Sequence, residues 1–255
     1  MRSKPLGSII KAAVIAGLAA GLLTAVFHFF VTEPVMERAI ELEDLLMQAQ
    51  GVTGEELLVD RGVQRGGLFL GFLLYGLTWG LLFGAAYRTT ERWLPFIGAR
   101  LRGPLLVLLA GWSVAVFPFL KYPANPPGVG DPGTVQYRQI IFFAFIALSA
   151  LNTLIALLLR RYLSQPGGAP WRKDWSWTGP LAMYVAGAAG LYLAMPANPD
   201  PIMMPADLVW RFRALSLAGL TVFWGVFAGG FALVTWAFEA SRPRRGSFSA
   251  SPNTN

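Results

Sequence analysis

The chain alternates between long apolar blocks and short polar segments, and this pattern predicts its elements. Six apolar blocks are each long enough to cross a bilayer core of about 30 Å, which needs roughly 20 helical residues. They lie near residues 9–31, 66–87, 103–120, 139–159, 178–195 and 212–238. The pattern therefore predicts an all-α fold, with a single polytopic membrane domain over residues 1–240 and about six transmembrane helices. Residues 241–255 are polar and rich in turn formers, which predicts a disordered tail.

Composition narrows the class of protein further. Hydrophobic residues make up 55% of the 255 residues and charged residues 14%, with a mean hydropathy of +0.50. A soluble domain carries about 25% charged residues, so a soluble enzyme domain is excluded. The chain has no cysteine and one histidine, which excludes thiolate sites and multi-histidine sites within one chain. It also has no Gly-x-Ser-x-Gly, Walker or His-Glu-x-x-His motif. We expect a protein that is not an enzyme and holds no permanently bound cofactor.

The charges are distributed unevenly between alternate loops. With the N-terminus inside, the inner segments hold 14 of the 21 Lys and Arg residues and three acids, and the outer segments hold seven basic residues and 11 acids. The positive-inside rule then predicts that both termini are cytoplasmic, in the plasma (inner) membrane. The net charge of +7 indicates topology and attraction to anionic membrane lipid, and it does not predict a nucleic-acid partner.

An internal repeat lies in the predicted outer loops. The tetrapeptide Pro-Ala-Asn-Pro occurs at residues 123–126 and again at 196–199, an offset of 73. Three further pairs match at this offset: Pro132 with Pro205, Tyr137 with Trp210, and Arg138 with Arg211. The third and fourth helices, and the fifth and sixth, are therefore predicted to be two copies of one helical hairpin. Transporters often place a site between such repeats; the alternative is that duplication only makes a stable bundle.

The two tetrapeptides have a mechanical and a chemical interpretation. Paired prolines stop a helix and favour extended backbone with free carbonyls. Those carbonyls, with the side chains of Asn125, Asn198 and the nearby Asp131, are candidate oxygen ligands for a metal; the alternative is a pair of structural turns. Arg138 and Arg211 open the following helices, where a cation opposes the helix dipole, so we expect both to tie the loops together. The predicted structural residues are Pro123, Pro126, Arg138, Pro196, Pro199 and Arg211.

An acidic outer segment covers residues 32–62, where eight acids accompany two arginines. Glu33, Glu37 and Glu41 fall on one stripe of a helix, which predicts an amphipathic helix on the outer membrane surface, beginning near Pro34. The stripe could collect divalent cations; the alternative is a solvated face. His28 lies five residues before Glu33. Imidazole with carboxylate oxygen suits borderline ions such as Co²⁺, so His28 is a candidate transient ligand, or otherwise a packed interface residue.

Two stretches resemble the CbtA family, whose members are described as probable cobalt transporter membrane subunits. They are residues 28–34 (HFFVTEP), continuing to Glu43, and residues 119–132 (FLKYPANPPGVGDP), continuing to Arg138. The resemblance implies cobalt uptake together with CbtB, a small single-span partner that carries histidines. Such a partner would supply the imidazoles that this chain lacks.

Three functions remain open at this point. The leading hypothesis is a membrane subunit for uptake of a divalent transition-metal cation, with cobalt preferred from the resemblance. In this hypothesis the acidic stripe gathers ions, and His28 with Glu33 passes them on. The alternatives are a non-transporting scaffold or assembly protein and a carrier for an organic solute.

Overall fold

A computed structural model describes residues 5–49, 51, 60–95, 97–165 and 167–241, and every regular element in these ranges is helical. The helices are α1 (Leu6–Phe27), α2 (Glu33–Ala49), α3 (Arg61–Thr90), α4 (Ala99–Gly111), α5 (Phe117–Lys121), α6 (Val135–Leu163), α7 (Pro170–Ala194) and α8 (Ala206–Ala240). Single π-helical turns join α1 to α2 and α4 to α5, at His28–Thr32 and Trp112–Val116. Short 3-10 turns cover Glu91–Trp93 and Pro132–Thr134. The all-α prediction is confirmed, and the predicted tail from residue 242 onward lies outside the described residues.

Five helical segments in these ranges are long and apolar enough to cross a membrane, and each contains one predicted span. They are Leu6–Ala49, Arg61–Thr90, Ala99–Lys121, Pro132–Leu163 and Ala206–Ala240. The remaining predicted span, 178–195, falls on α7, whose 25 residues suffice for a crossing. Its charged residues Arg172, Lys173 and Asp174 all lie in the first turns, before the predicted span. The six long helices form the polytopic membrane bundle that the sequence predicts.

The acidic segment differs from its prediction in how it begins. Helix α2 is not a separate helix, because α1 continues into it through the π-helical turn, giving 44 helical residues in one run. The Glu33 amide donates to the carbonyl of His28, five residues earlier. Pro34 cannot donate the α-helical hydrogen bond to the residue four positions earlier, and the π-helical turn lies where that bond is missing. At 1.5 Å per residue the run is about 66 Å long, roughly twice the bilayer core, so α2 extends beyond the membrane. Residues 52–59 of this segment lie outside the described ranges.

Helix α1 packs against both α3 and α8 and runs antiparallel to each. Gly17 and Gly76 face each other so closely that a Cβ on either would overlap the backbone oxygen of the other. On the neighbouring face of α1, Ala16 lies against Gly230 of α8. Small residues allow this close approach because lipid provides no hydrophobic force between helices, so dispersion contacts must hold them together.

Aromatic side chains fill the space where α3 meets α8. Rings of the two helices stack in tilted and edge-on pairs with centroids 4.7–5.6 Å apart. The participants are Tyr75, Trp79, Phe83 and Tyr87 from α3, and Phe223, Trp224, Phe227 and Phe231 from α8. Helix α4 packs on α8 at two of the same rings, with Gly103 against Phe231 and Gly111 against Trp224.

The two repeat copies have the same order of elements but different neighbours. In the first copy, the π-helical turn before α5 contacts α6, where the Ser113 hydroxyl donates to Thr153 Oγ1 at 2.8 Å. In the second copy, α7 packs along α6, and α8 packs along α1 and α4. The two copies therefore pack against each other along their helices, α7 on α6 and α8 on α4.

Candidate functional site

The two proline loops, residues 122–134 and 195–205, lie together at one end of the bundle and are joined through Asp200. Its carboxylate is only 1% exposed and pairs with Arg138 Nε at 3.0 Å. It also accepts hydrogen bonds from the Thr134 hydroxyl at 2.7 and 3.0 Å and from the Asp131 amide at 3.2 Å. Arg138 donates in addition to the Asp131 carbonyl at 3.1 Å. The second loop thus holds the first through one buried acid, whose ion-pair partner is Arg138.

Further polar contacts join the loops from the other side. The Tyr122 hydroxyl donates to the Pro196 carbonyl at 2.7 Å, and Lys121 Nζ donates to the Tyr192 carbonyl at 2.8 Å. Burial raises the pKa of the Tyr122 phenol above its usual value of 10, so the hydroxyl stays protonated and remains a donor. These contacts satisfy carbonyls that the proline segments leave without helical partners.

The predicted ligand side chains of the loops have partners within the protein. Asn125 Oδ1 accepts from Arg213 at 2.7 Å, Asn198 Oδ1 accepts from the Asp200 amide at 3.3 Å, and Asp131 Oδ1 accepts from the Gly133 amide at 2.7 Å. In the structure their oxygens organise the loops, and metal ligation by them stays a prediction. Neither tetrapeptide belongs to a helix.

The contact expected of Arg211 is made by Arg213. Arg211 is exposed, and Arg213 reaches Asn125 across the loops. Two residues along a helix rotate a side chain by about 200°, so the repeat alignment selected the residue on the wrong face. Sequence analysis did not single out Arg213, Thr134 or Tyr122. Only the charge of Arg213 close to the repeat could have suggested its role.

His28 sits in the π-helical turn at the same end of the bundle. Its Nδ1 hydrogen-bonds to Thr32 Oγ1 at 2.8 Å, and its ring stacks on Phe72 with centroids 5.0 Å apart. The Nε2 edge lies against Gly219 of α8, where an added Cβ would overlap it. The glycine therefore makes room for the imidazole.

The acidic stripe is held largely by arginines. Glu33 pairs with Arg61 at 2.6 Å and with Arg65 at 3.3 Å, and Arg65 also pairs with Glu37. The structure does not bring Glu33 and His28 together as a ligand pair. Glu41 pairs with Arg38 at 3.1 Å in an exposed contact. Within the part of the chain that the structure describes, no three His, Asp or Glu residues form a group that could hold a metal.

A cavity of about 700 Å³, the central cavity, opens beside His28 between α1, α3, α6 and α8. Its polar lining includes Thr24, His28 and Ser216. Thr24 Oγ1 is buried without a hydrogen-bond partner. The rest of the lining is mostly aromatic and aliphatic, including Phe72 and Phe119.

Two further cavities adjoin the central cavity at opposite ends. The loop cavity, about 380 Å³, lies among the proline loops and shares Tyr122 and Phe142 with it. The hydroxyl cavity, about 360 Å³, contains Ser113 and Thr153 and shares Trp79 and Val114 with it. Together the three form a line of spaces from the proline loops toward the ends of α3 and α6 that carry Arg88, Arg160 and Arg161.

The chemistry of this line of cavities is that of weak ligation. One imidazole nitrogen and several hydroxyls can coordinate a borderline cation in company with water. Such sites bind and release, which suits passage more than storage. Both π-helical turns border the central cavity, at His28 and at Val114 and Ala115. Turns of this kind are frequent at functional sites.

One known family accounts for nearly the whole chain. The model of the CbtA family, described as "Probable cobalt transporter subunit (CbtA)", matches residues 6–236. No curated protein and no solved structure matches the chain. The match includes the His28 turn, both proline loops and all six long helices, so the chain belongs to the CbtA family of integral membrane proteins.

Proposed function

We propose that this chain is the membrane subunit through which a divalent transition-metal cation, Co²⁺ first of all, enters the cytoplasm. The observation that carries the proposal is the line of three adjoining cavities, with the sole histidine of the chain beside the central one. The family description as a cobalt transporter subunit supports the cargo. The positive-inside distribution supports cytoplasmic termini and therefore an outward-facing proline-loop end.

His28 acts as a transit ligand in this proposal. Because Thr32 occupies Nδ1, the other ring nitrogen is the one that meets the metal. Thr24, one turn before His28 on α1, has a hydroxyl with no hydrogen-bond partner and supplies one oxygen, and Ser216 supplies another from the facing helix α8. A single nitrogen with hydroxyls and water binds Co²⁺ weakly enough for the ion to leave toward the cytoplasm.

The acidic stripe attracts cations too weakly to deliver the metal by itself. Arg61 and Arg65 neutralise Glu33 and Glu37, so these acids attract a cation less than their number suggests. We propose that a small single-span, histidine-bearing subunit of the CbtB kind brings the ion to the proline-loop end. Glu41, with Asn125, Asp131 and Asn198, remains a candidate for passing contacts there.

Co²⁺ accumulation by cells that express the chain with its partner tests the proposal. His28→Asn keeps a polar atom near the Nδ1 position, where it can still bond Thr32, but removes the outer ring nitrogen. His28→Gln restores a polar atom near the Nε2 position. We expect His28→Asn to lower uptake about tenfold, the low end of the cost of a lost metal-site contact, and His28→Gln to retain more activity.

Equal uptake by wild type and both variants, at equal protein level in the membrane, would remove His28 from the route. Absence of uptake by wild type, with or without the partner, would favour a scaffold.

The apolar lining of the central cavity favours a second candidate, a carrier for an organic solute. A space of about 700 Å³ walled by aromatic rings falls within the size range of small-molecule pockets. With such a carrier, Co²⁺ accumulation would stay at the background level. It would also be the same for the His28→Asn and His28→Gln variants.

A further inference from the structure

The loop cavity is basic, which is unexpected beside a route for cations. Lys121, Arg138 and Arg213 all line it, and none of its lining residues is an acid. Arg138 is balanced by Asp200. Among the described residues, no carboxylate lies within ion-pair distance of Lys121 or Arg213, whose polar partners are the neutral Tyr192 carbonyl and Asn125 side chain. Two positive charges are therefore uncompensated around one cavity.

The remaining lining adds neutral hydrogen-bonding groups and a favourable dipole. Asn198 and Gln139 present amides to the same space. Val135 and Arg138 belong to the first turn of α6, where the helix dipole attracts negative charge. Arg213 Nε is buried without a hydrogen-bond partner, so its guanidinium has unused donor capacity. An unsatisfied buried donor is costly, and an anion in the cavity would relieve that cost.

From this arrangement we infer that the loop cavity binds a phosphate-type oxyanion, either free phosphate or the headgroup of a membrane lipid. Arg213 and Lys121 contact the anion, and the amides of Asn198 and Gln139 orient it. A volume of about 380 Å³ accommodates the oxyanion with several waters, since one water occupies about 30 Å³ in the liquid. Arginine suits such ligands because its planar donors match tetrahedral oxyanions.

Anion binding in the loop cavity does not depend on the cargo of the central cavity. It does have a consequence for a cation route, because Tyr122 and Phe142 border both spaces. With the loop cavity empty, its two uncompensated charges repel a divalent cation nearby. A bound oxyanion neutralises them and lowers that barrier.

The test is isothermal titration of the purified full-length chain in a neutral detergent at low salt. Inorganic phosphate is one probe, and a short-chain phosphatidic acid below its micelle concentration is the other. Arg213→Gln and Lys121→Gln each remove one cavity charge. Arg211→Gln is the matched control, because it makes the same change two residues away at an exposed position.

We expect wild type and Arg211→Gln to bind alike and the two cavity variants to bind about tenfold more weakly, the size of effect that losing a charge-assisted hydrogen bond gives. Binding of both probes, or of phosphate alone, supports the site with a free anion as its ligand. Binding of phosphatidic acid alone identifies a lipid headgroup.

If wild type binds neither probe, or if the cavity variants bind as Arg211→Gln does, the inference is overturned. Circular dichroism checks folding, and Lys121→Gln decides the question if Arg213→Gln does not fold. Co²⁺ uptake is measured separately, so failure of the metal proposal leaves this result readable.

Discussion

Asp200 shows how much can depend on one residue at the end of a membrane bundle. Its buried carboxylate contacts Arg138, Thr134 and the Asp131 amide, so it connects the two copies of the repeat. Asp200→Asn keeps the shape but removes the charge. We expect it to lower the free energy of unfolding by about 2 kcal/mol, because hydrogen bonds to charged groups contribute about 1.5–3 kcal/mol. Thermal unfolding in detergent measures the change.

Asp207→Asn is the control for this change. Asp207 is exposed in the first turn of α8, where an acid stabilises the helix dipole by about 0.5 kcal/mol. If Asp200→Asn lowers the free energy of unfolding as little as Asp207→Asn does, then Asp200 does not hold the loops together.

Gly219 controls the space around His28. A Cβ at this position would overlap the Nε2 edge of the imidazole, so Gly219→Ala must displace the ring from its place between α8 and Phe72. We expect Co²⁺ uptake to fall about tenfold, as for other lost metal-site contacts. Gly225→Ala is the matched control, because it lies on the same helix and its added methyl meets open space. If both alanine variants transport normally, the position of the ring does not matter.

At the scale of elements, the contact between α1 and α3 depends on backbone approach more than on side chains. Gly76→Ala would drive a methyl group into the backbone oxygen of Gly17, and backbone cannot move aside as a flexible side chain can. We expect a loss of about 1–3 kcal/mol, the usual cost of overpacking, with a lower melting temperature in detergent.

Gly71→Ala makes the same substitution five residues earlier on α3, where the space is open. It should leave stability unchanged or slightly raised, since alanine favours helix. An equal effect of the two substitutions would mean that helix propensity, not packing, governs this pair of helices.

At the scale of the whole molecule, the import direction rests on which end of the bundle faces outward. The chain has no cysteine, so single cysteines report their side without background. We expect Gln48→Cys, near the end of α2, to react in intact cells with a membrane-impermeant maleimide. Arg161→Cys, at the opposite end of α6, should react only after permeabilisation. Both positions are exposed in the structure. The reverse pattern would place the proline loops in the cytoplasm and overturn uptake as the direction.

Much of this architecture could be predicted from the sequence alone. The six apolar blocks and the proline segments each have a local cause: a bilayer core accepts only satisfied backbone, and a proline removes a donor. Sequence analysis therefore found the long apolar helices and the proline segments that separate them. It did not find that α2 continues α1, because Pro34 normally marks a helix start and the π-helical turn that accommodates it has no sequence signature.

The candidate site depended on distant contacts and was predicted less completely. His28 was singled out as an isolated imidazole, but its ring is placed by Thr32, Phe72 and Gly219, two of them on other helices. Glu33 was paired with His28 by proximity in sequence, whereas Arg61 and Arg65 of α3 hold it in space.

The sequence by itself determined the class of protein, the spans and the repeat, since hydropathy and proline geometry act over a few residues. Only the tertiary structure decided which charges meet, because an ion pair or a cavity wall requires helices far apart in the chain to be packed together.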